Sequence, residues 1–551
     1  MKMNTCIILF FLLLLPVSQV FAQEETAETP ANEESLEIIL DDSAAKAAES
    51  RTEETYDNNT LFVIRGLKFD IDGISRSYAL INQGEFKEGE RIMGKTNLDR
   101  YIARKQQLLL NQRTLEEVSI EYSCGEKEED GAIPVKLLVF IKDSKNFIVL
   151  PYPKYDSNEG FSLTLKIRDY NFFGTMGELA IDFGYLRNTE SQNVVNFSID
   201  TNIPFNALGL NWNAIFDNRI VYTGGEPLYY QNVTGLSVDL PWRSTMFTVG
   251  FNHYLTINEK VSDDTKDLYA VIEDFYDPYG TSEFYASWRI PLGVEVWDFG
   301  ELAYTPKIST KINYPYSGLD EPRKPVTTFG HTLGFGRLDW IGNYRKELSA
   351  YFTNSYSVFI DRSDGPFLAA IDTGATIHWP FNKYTAISSR IKYRQWWQWS
   401  SRNSDWIPYY YAGDLLRGVI DEDLRADLML SLNLEFSVKF LRLWPSEWFN
   451  KPKLHILDLE FYASPFLDLA LLRGPYNMLK ENYLDGTRFK LSDLVSTTGL
   501  EVIVYSGYFR SLKIRGSIGY NLNQARERGI PLKWGFFPQW DEIYVGLDLY
   551  Y

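Results

Sequence analysis

Cysteine is nearly missing from this chain of 551 residues, which has only Cys6 and Cys124. Cys6 lies within an export signal, so the mature chain keeps one thiol and no intramolecular disulfide frames its fold. Nothing beside Cys124 would activate it, and it reads as an inert, half-buried thiol at a strand end. Histidine is scarce as well. His253, His331, His378 and His455 stand apart, each in or next to a strand-like segment, and they form no metal-ligand pattern. A glycine-rich phosphate loop and a Gly-x-Ser-x-Gly elbow are both missing, so the expectation is a protein that is not an enzyme and holds no cofactor. Positive charge is short too. A formal net charge of -18 argues against nucleic acid as a partner. Beyond residue 22 no apolar run approaches the roughly 18 residues that a helical membrane span needs.

Alternation is what the chain does have. Between Leu428 and Phe440, Leu428, Leu430, Leu432, Leu434, Phe436, Val438 and Phe440 interleave with Met429, Ser431, Asn433, Glu435, Ser437 and Lys439. A soluble sandwich strand sustains such a pattern for roughly 5–6 residues. About a dozen is the length of a tilted strand that crosses a bilayer. The pattern recurs from about residue 160 to Tyr551, about every 25 residues, which predicts a transmembrane antiparallel β-barrel of about 16 strands over residues 150–551. Aromatic residues make up 15% of the chain, enough to supply girdles at both rims. The mean hydropathy of -0.25 conceals this because only alternate residues face lipid.

Residues 1–22 read as a secretory signal, with Lys2, an apolar core from Cys6 to Val17, and a small-residue cleavage site at Ala22. Residues 23–59 hold twelve acidic residues against Lys46 and Arg51. With so little apolar surface to bury, this stretch reads as a disordered acidic tether, in which Leu36 to Leu40 is the one sticky patch.

Residues 60–145 have a different grain. Thr60 to Phe69 is strand-like, Ser75 to Gln83 and Asn97 to Gln112 are helical, and Glu117 to Cys124 and Val135 to Lys142 are strands. This β-α-α-β-β order predicts one small α+β domain. It resembles the POTRA domain that precedes the barrel in the BamA/TamA superfamily of outer-membrane assembly factors. The stretch from Asn111 to Glu121 is similar to that family's helix-to-strand passage, with Leu115 in place of the usual aromatic. POTRA domains offer an open sheet edge to an extended strand by β-augmentation. A plain plug or spacer is the other reading of this segment.

Three further features carry the resemblance. The first hairpin, Phe161, Leu163, Leu165 and Ile167 before Asp169-Tyr-Asn-Phe-Phe-Gly174, is similar to the opening of BamA/TamA barrels. The chain's last strand, with Ile543, Val545, Gly546, Leu547, Leu549 and Tyr551, resembles a C-terminal assembly signal. Between them, Leu415-Leu416-Arg417-Gly418 ends an aromatic loop just ahead of the Leu428 strand. Another Arg-Gly pair, at Arg473-Gly474, lacks that position in the strand order. In the superfamily a lid loop at this position carries an Arg-Gly-aromatic motif, and its Arg pairs with the acid of a Phe-x-Asp-x-Gly motif. Here Phe466-Leu467-Asp468-Leu469-Ala470 occupies the corresponding strand, while Val419 and Ala470 replace the aromatic and the second glycine.

Alternation independently places Asp468 on the inner face, with Asp458, Glu460 and Tyr462, and Glu435 inward on the preceding strand. The resemblance implies a lid lock made by Arg417, Gly418, Asp468 and Glu435. It also implies a seam between the Phe161 strand and the Ile543 strand. The function it implies is insertion or export of unfolded client proteins at the bacterial outer membrane. The POTRA domain would lie in the periplasm, open to periplasmic or lipoprotein partners, and the barrel in the lipid bilayer. A two-partner-secretion-type transporter and a passive porin or structural barrel are the alternatives.

Overall fold

The computed structural model describes residues 59–156, 160–187, 192–259, 278–315, 325–359, 367–398, 410–411, 415–419, 425–426, 428–473, 476–477, 482–483, 494–523, 532–533, 537–538 and 542–546. The signal and nearly all of the acidic tether lie outside these residues, as do Leu547, Leu549 and Tyr551.

The first unit comprises β1 (Leu61–Asp72), α1 (Ser77–Gln83), β2 (Arg91–Met93), α2 (Lys95–Leu110), β3 (Leu115–Cys124) and β4 (Ile133–Asp143). Its sheet runs β2-β1-β4-β3, with β1 and β4 parallel. Strand β4 alternates cleanly, burying Ile133, Val135, Leu137, Val139 and Ile141. Against that face α2 sets Leu98, Ile102 and Leu109 at helical spacing. Fully burying one such aliphatic side chain contributes about 1.5–3 kcal/mol, and this cluster is the unit's core. Lys105, buried on the same helix, donates to the Glu85 carbonyl and lies over the Phe86 and Tyr101 rings. Burial pulls its pKa below the ordinary lysine range. Strand β2 was not legible in the sequence, since three residues are too few to show a period.

The wall begins with β5 (Phe147–Asp156), β6 (Gly160–Phe172), β7 (Gly177–Arg187), β8 (Asn193–Ala207), β9 (Leu210–Thr223) and β10 (Tyr229–Trp242). It continues through β11 (Thr245–Ile257), β12 (Tyr279–Glu295), β13 (Glu301–Pro315), β14 (Val326–Ile341), β15 (Tyr344–Phe359), β16 (Phe367–Pro380) and β17 (Thr385–Gln398). A two-residue ladder, β18 (Tyr410–Tyr411) on β19 (Arg425–Ala426), clips the arms of the lid loop together. The wall resumes with β20 (Leu428–Leu443) and β21 (Leu459–Arg473), then β24 (Leu494–Ser506), β25 (Lys513–Asn521) and β28 (Glu542–Gly546). Small ladders of β22 (Tyr476–Asn477) with β23 (Asn482–Tyr483), and β26 (Leu532–Lys533) with β27 (Phe537–Pro538), stand outside it.

Among the described residues the barrel is closed and antiparallel, with 18 strands against the 16 or so expected. Strand β5, which lies ahead of the expected first strand, and tight turns at one rim account for the difference. Leu208-Gly209 and Arg243-Ser244 join long strands in two residues, so more strands fit than an even spacing suggests. Leu208, Gly209 and Arg243 take the positive φ that suits such hairpins. The outward positions are apolar, among them Phe251, Phe284, Phe329, Phe352, Ile391 and Phe440, each more than a third exposed. The inward positions carry buried Asn433, Glu435, Asp468 and Glu501. This is an apolar wall around a polar lumen, the arrangement of a membrane-spanning barrel. Among the described residues no helix is long and apolar enough to cross a membrane.

The small unit is seated on the rim of tight turns. Asn171 of the first turn donates to Ser75 Oγ at 2.8 Å, and the Arg76 N–H donates to the Gly174 carbonyl at 2.8 Å. A Cβ on Gly174 would lie 1.9 Å from the Ile74 carbonyl oxygen, so the closing glycine of that hairpin serves docking as well as turning. Across the mouth, Arg113 donates to the Asn343 side chain, and its guanidinium lies over the Trp340 and Tyr505 rings at 4.5 and 5.4 Å. Arg510 donates to the Leu115 and Glu116 carbonyls at the start of β3. Turns on opposite sides of the ring thus hold one cap.

Candidate lid and seam

The structure brings Arg417, Asp468 and Glu435 together inside the lumen. Gly418 can take its φ of +85° without strain, and a Cβ there would sit 2.7 Å from the Tyr520 backbone nitrogen. Backbone of the lid therefore rests directly on backbone of β25, where Gly519 gives matching room. This close approach turns the Arg417 side chain toward β20, β21 and β24.

Arg417 Nε and Nη2 donate to the two Asp468 carboxylate oxygens at 3.0 and 2.9 Å, and its backbone N–H donates to the same group. Nη1 donates to Glu435 at 3.1 Å and lies 3.5 Å from a Glu501 oxygen. The guanidinium carbon stands 3.8 Å from the centre of the Phe466 ring. Arg417 is 2% exposed and Asp468 0%. A bidentate, stacked, fully buried arginine has every donor direction constrained, a geometry lysine cannot reproduce. Asn433 adds a hydrogen bond to the Leu415 carbonyl.

Apolar contacts complete the seat. Leu415, Leu416, Val419, Ala426, Met429 and Ala470 form one buried cluster. Val419 and Ala470, which stand where the resembled motif has an aromatic and a glycine, belong to the same cluster.

One partner was not legible in the sequence. Glu501 reaches Arg417 only through the register of the ladders, in which Asp468 pairs with Thr497 and Ala463 with Val502, whereas Phe466 shares the inward face with Asp468 two residues along the same strand. Glu501 also accepts from Arg515 at 3.2 Å, and the Arg515 guanidinium lies 4.2 Å from the centre of the Tyr544 ring on β28. Three carboxylates thus meet two guanidiniums, and the series runs from the lid to the chain's last described strand. Asp458, expected inward on a strand, instead closes a rim turn. It bonds Ser446 and His455, because Pro452–Leu457 forms a 3-10 turn that holds β21 back to Leu459.

The seam differs from its expected place. Strand β28 closes on β5, so Phe161, Leu163, Leu165 and Ile167 belong to the second wall strand, β6. The first strand was missed because Pro151 and Pro153 look like strand breakers. Ile543, Val545 and Gly546 lie on β28, and Tyr152 donates its hydroxyl to the Val545 carbonyl at 2.6 Å.

Neither a protein-family profile nor a curated protein sequence matches the chain. Among solved structures it is similar to CdiB from Acinetobacter baumannii, with 14% identity over 88% of this chain and 73% of that one and a TM-score of 0.44. It is similar to CdiB from Escherichia coli, with 11% identity over 88% and 75% and a TM-score of 0.45. A third is BamA from Haemophilus ducreyi lacking POTRA domains 1-3, with 14% identity over 88% and 84% and a TM-score of 0.35. The chain's own architecture is a small α+β unit ahead of a closed antiparallel barrel, with Arg417 of the loop before β20 held inside the lumen.

Proposed function

We propose that this chain is an assembly and translocation factor of the bacterial outer membrane, which inserts or exports client proteins by strand capture and a lateral seam. The observation that carries this reading is the pair of prolines, Pro151 and Pro153, in β5, the strand on which β28 closes. Residues two apart present their N–H groups to the same edge of a strand, so β5 lacks two donors along one side. Its other neighbour, β6, pairs with all ten β5 residues, from Phe147 to Asp156. A strand short of donors belongs at an edge, and an edge in lipid is an incentive for a client strand to pair.

The lid adds control. Arg417 sits on the same acidic cluster that leads through Glu501 and Arg515 to Tyr544 on β28. The small domain, in the periplasm, supplies β3 as a sheet edge whose carbonyls already take donors from Arg510, and periplasmic or lipoprotein partners would bind there. Catalysis has no part in this reading. Ser388, His378 and Glu347 do line up in the wall, but His378 Nε2 is 3.7 Å from the carboxylate and the histidine is 2% exposed.

A reversible lock tests it. In a Cys124→Ser background, Asp156→Cys with Tyr544→Cys joins β5 to β28, and Leu163→Cys with Tyr185→Cys joins β6 to β7 as a control. Oxidation of the first pair is expected to stop assembly of other barrels until reductant is added, with the control pair silent. Full activity with the first pair oxidised would refute a working seam.

A further inference from the structure

The outer wall holds a feature that the lid and seam do not use. Pro306 on β13 has no N–H, and the β12–β13 ladder lapses beside it: pairs run to Ser287 with Lys307 and resume at Ile290 with Tyr304. Beside the lapse lies a crevice of about 480 Å³ lined by Phe247, Trp288, Pro306, Ile308, Phe329 and Tyr356. Phe247, Ile308, Phe329 and Tyr356 are all exposed on the lipid side of the wall. The volume falls in the roughly 300–1,000 Å³ range of small-molecule sites.

Its lining is mostly apolar; besides Trp288 it includes Lys307 and the pair Tyr304 and His331, whose hydroxyl and Nδ1 are 3.3 Å apart. Among the described residues, the buried Trp288 Nε1 has no hydrogen-bond partner. A tryptophan N–H at a membrane interface ordinarily donates to a carbonyl or headgroup. The Trp288 ring lies 5.7 Å from that of Trp242, and the Arg243 guanidinium lies 5.5 Å from the Trp242 ring. Arg243 occupies the two-residue turn at the rim that carries the small domain, and it is exposed. Running from the wall to the rim, the order is an apolar crevice, an indole donor, and a fixed cation.

We infer that this crevice binds one glycerophospholipid: an acyl chain fills it, an ester carbonyl accepts from Trp288 Nε1, and the phosphate pairs with Arg243. That order of chain, acceptor and anion is the order of groups along a glycerophospholipid. The leaflet, that of the periplasmic side, follows from the proposed orientation; the chemistry does not depend on it.

The test uses the full chain in nanodiscs of phosphatidylglycerol, with lipid retention read by native mass spectrometry after release. Wild type is expected to keep one phospholipid per barrel. Trp288→Phe with Arg243→Gln is expected to weaken retention at least about tenfold. Ala286→Phe fills the crevice, leaves both polar groups in place, and is expected to do the same. Heat-modifiable gel migration checks that each barrel is folded. Retention in folded variants equal to wild type, or none in wild type, would overturn the site.

Discussion

At the scale of single residues, the lid is held by one arginine whose partners are all buried. Removing Arg417 leaves Asp468 charged, buried and uncompensated, at a cost of roughly 3–5 kcal/mol. Arg417→Ala is therefore expected to raise the undocked lid population roughly a hundredfold or more. Protease added to intact cells should then cut within the lid loop faster than in wild type. Gly418→Ala leaves every charge in place but drives a Cβ into β25, so it is expected to undock the lid as well. If Gly418→Ala left the lid protected, the backbone contact would not be what seats it. Asp468 and Glu435 were legible because alternation along a strand fixes which side chains face inward, and Arg417 because of the lid-loop resemblance and its place just ahead of the Leu428 strand. Glu501, Arg515 and Tyr544 were not. Which residues of different strands meet depends on the stagger between them, and a period of two carries no record of stagger.

At the scale of elements, the wall strands were readable wherever one face met lipid and the other met the lumen. Strand β5 escaped because two prolines hid it, and those same prolines suit the edge it occupies. The small unit shows the opposite limit. Its helices and long strands were visible, yet nothing in the sequence showed that its turns seat it across the mouth. Arg113 is the clearest sign of that seating, lying over Trp340 and Tyr505 and donating to Asn343 and to the Arg510 carbonyl. Burial between the rings lowers its pKa to about 10. Arg113→Ala is expected to loosen the cap, which a planar-bilayer recording would register as larger or more frequent conductance steps. An unchanged trace would mean that the remaining turn contacts hold the cap unaided.

At the scale of the molecule, the parts form one mechanical series. A cap bridges the turns of one mouth, a lid is locked into the acidic lumen, and the lock adjoins β28, the strand that closes on β5. The proposed sideways opening would use that series, and a passive pore would not need it. The most direct measurement is depletion of this protein, with quantitative proteomics of the outer-membrane fraction and complementation by Arg417→Ala at normal expression. Loss of a set of other barrel proteins, left uncorrected by the variant, is the result expected of an insertase with an arginine-locked lid. Loss of one secreted protein would mark a dedicated transporter, and an outer membrane of unchanged composition would contradict assembly altogether.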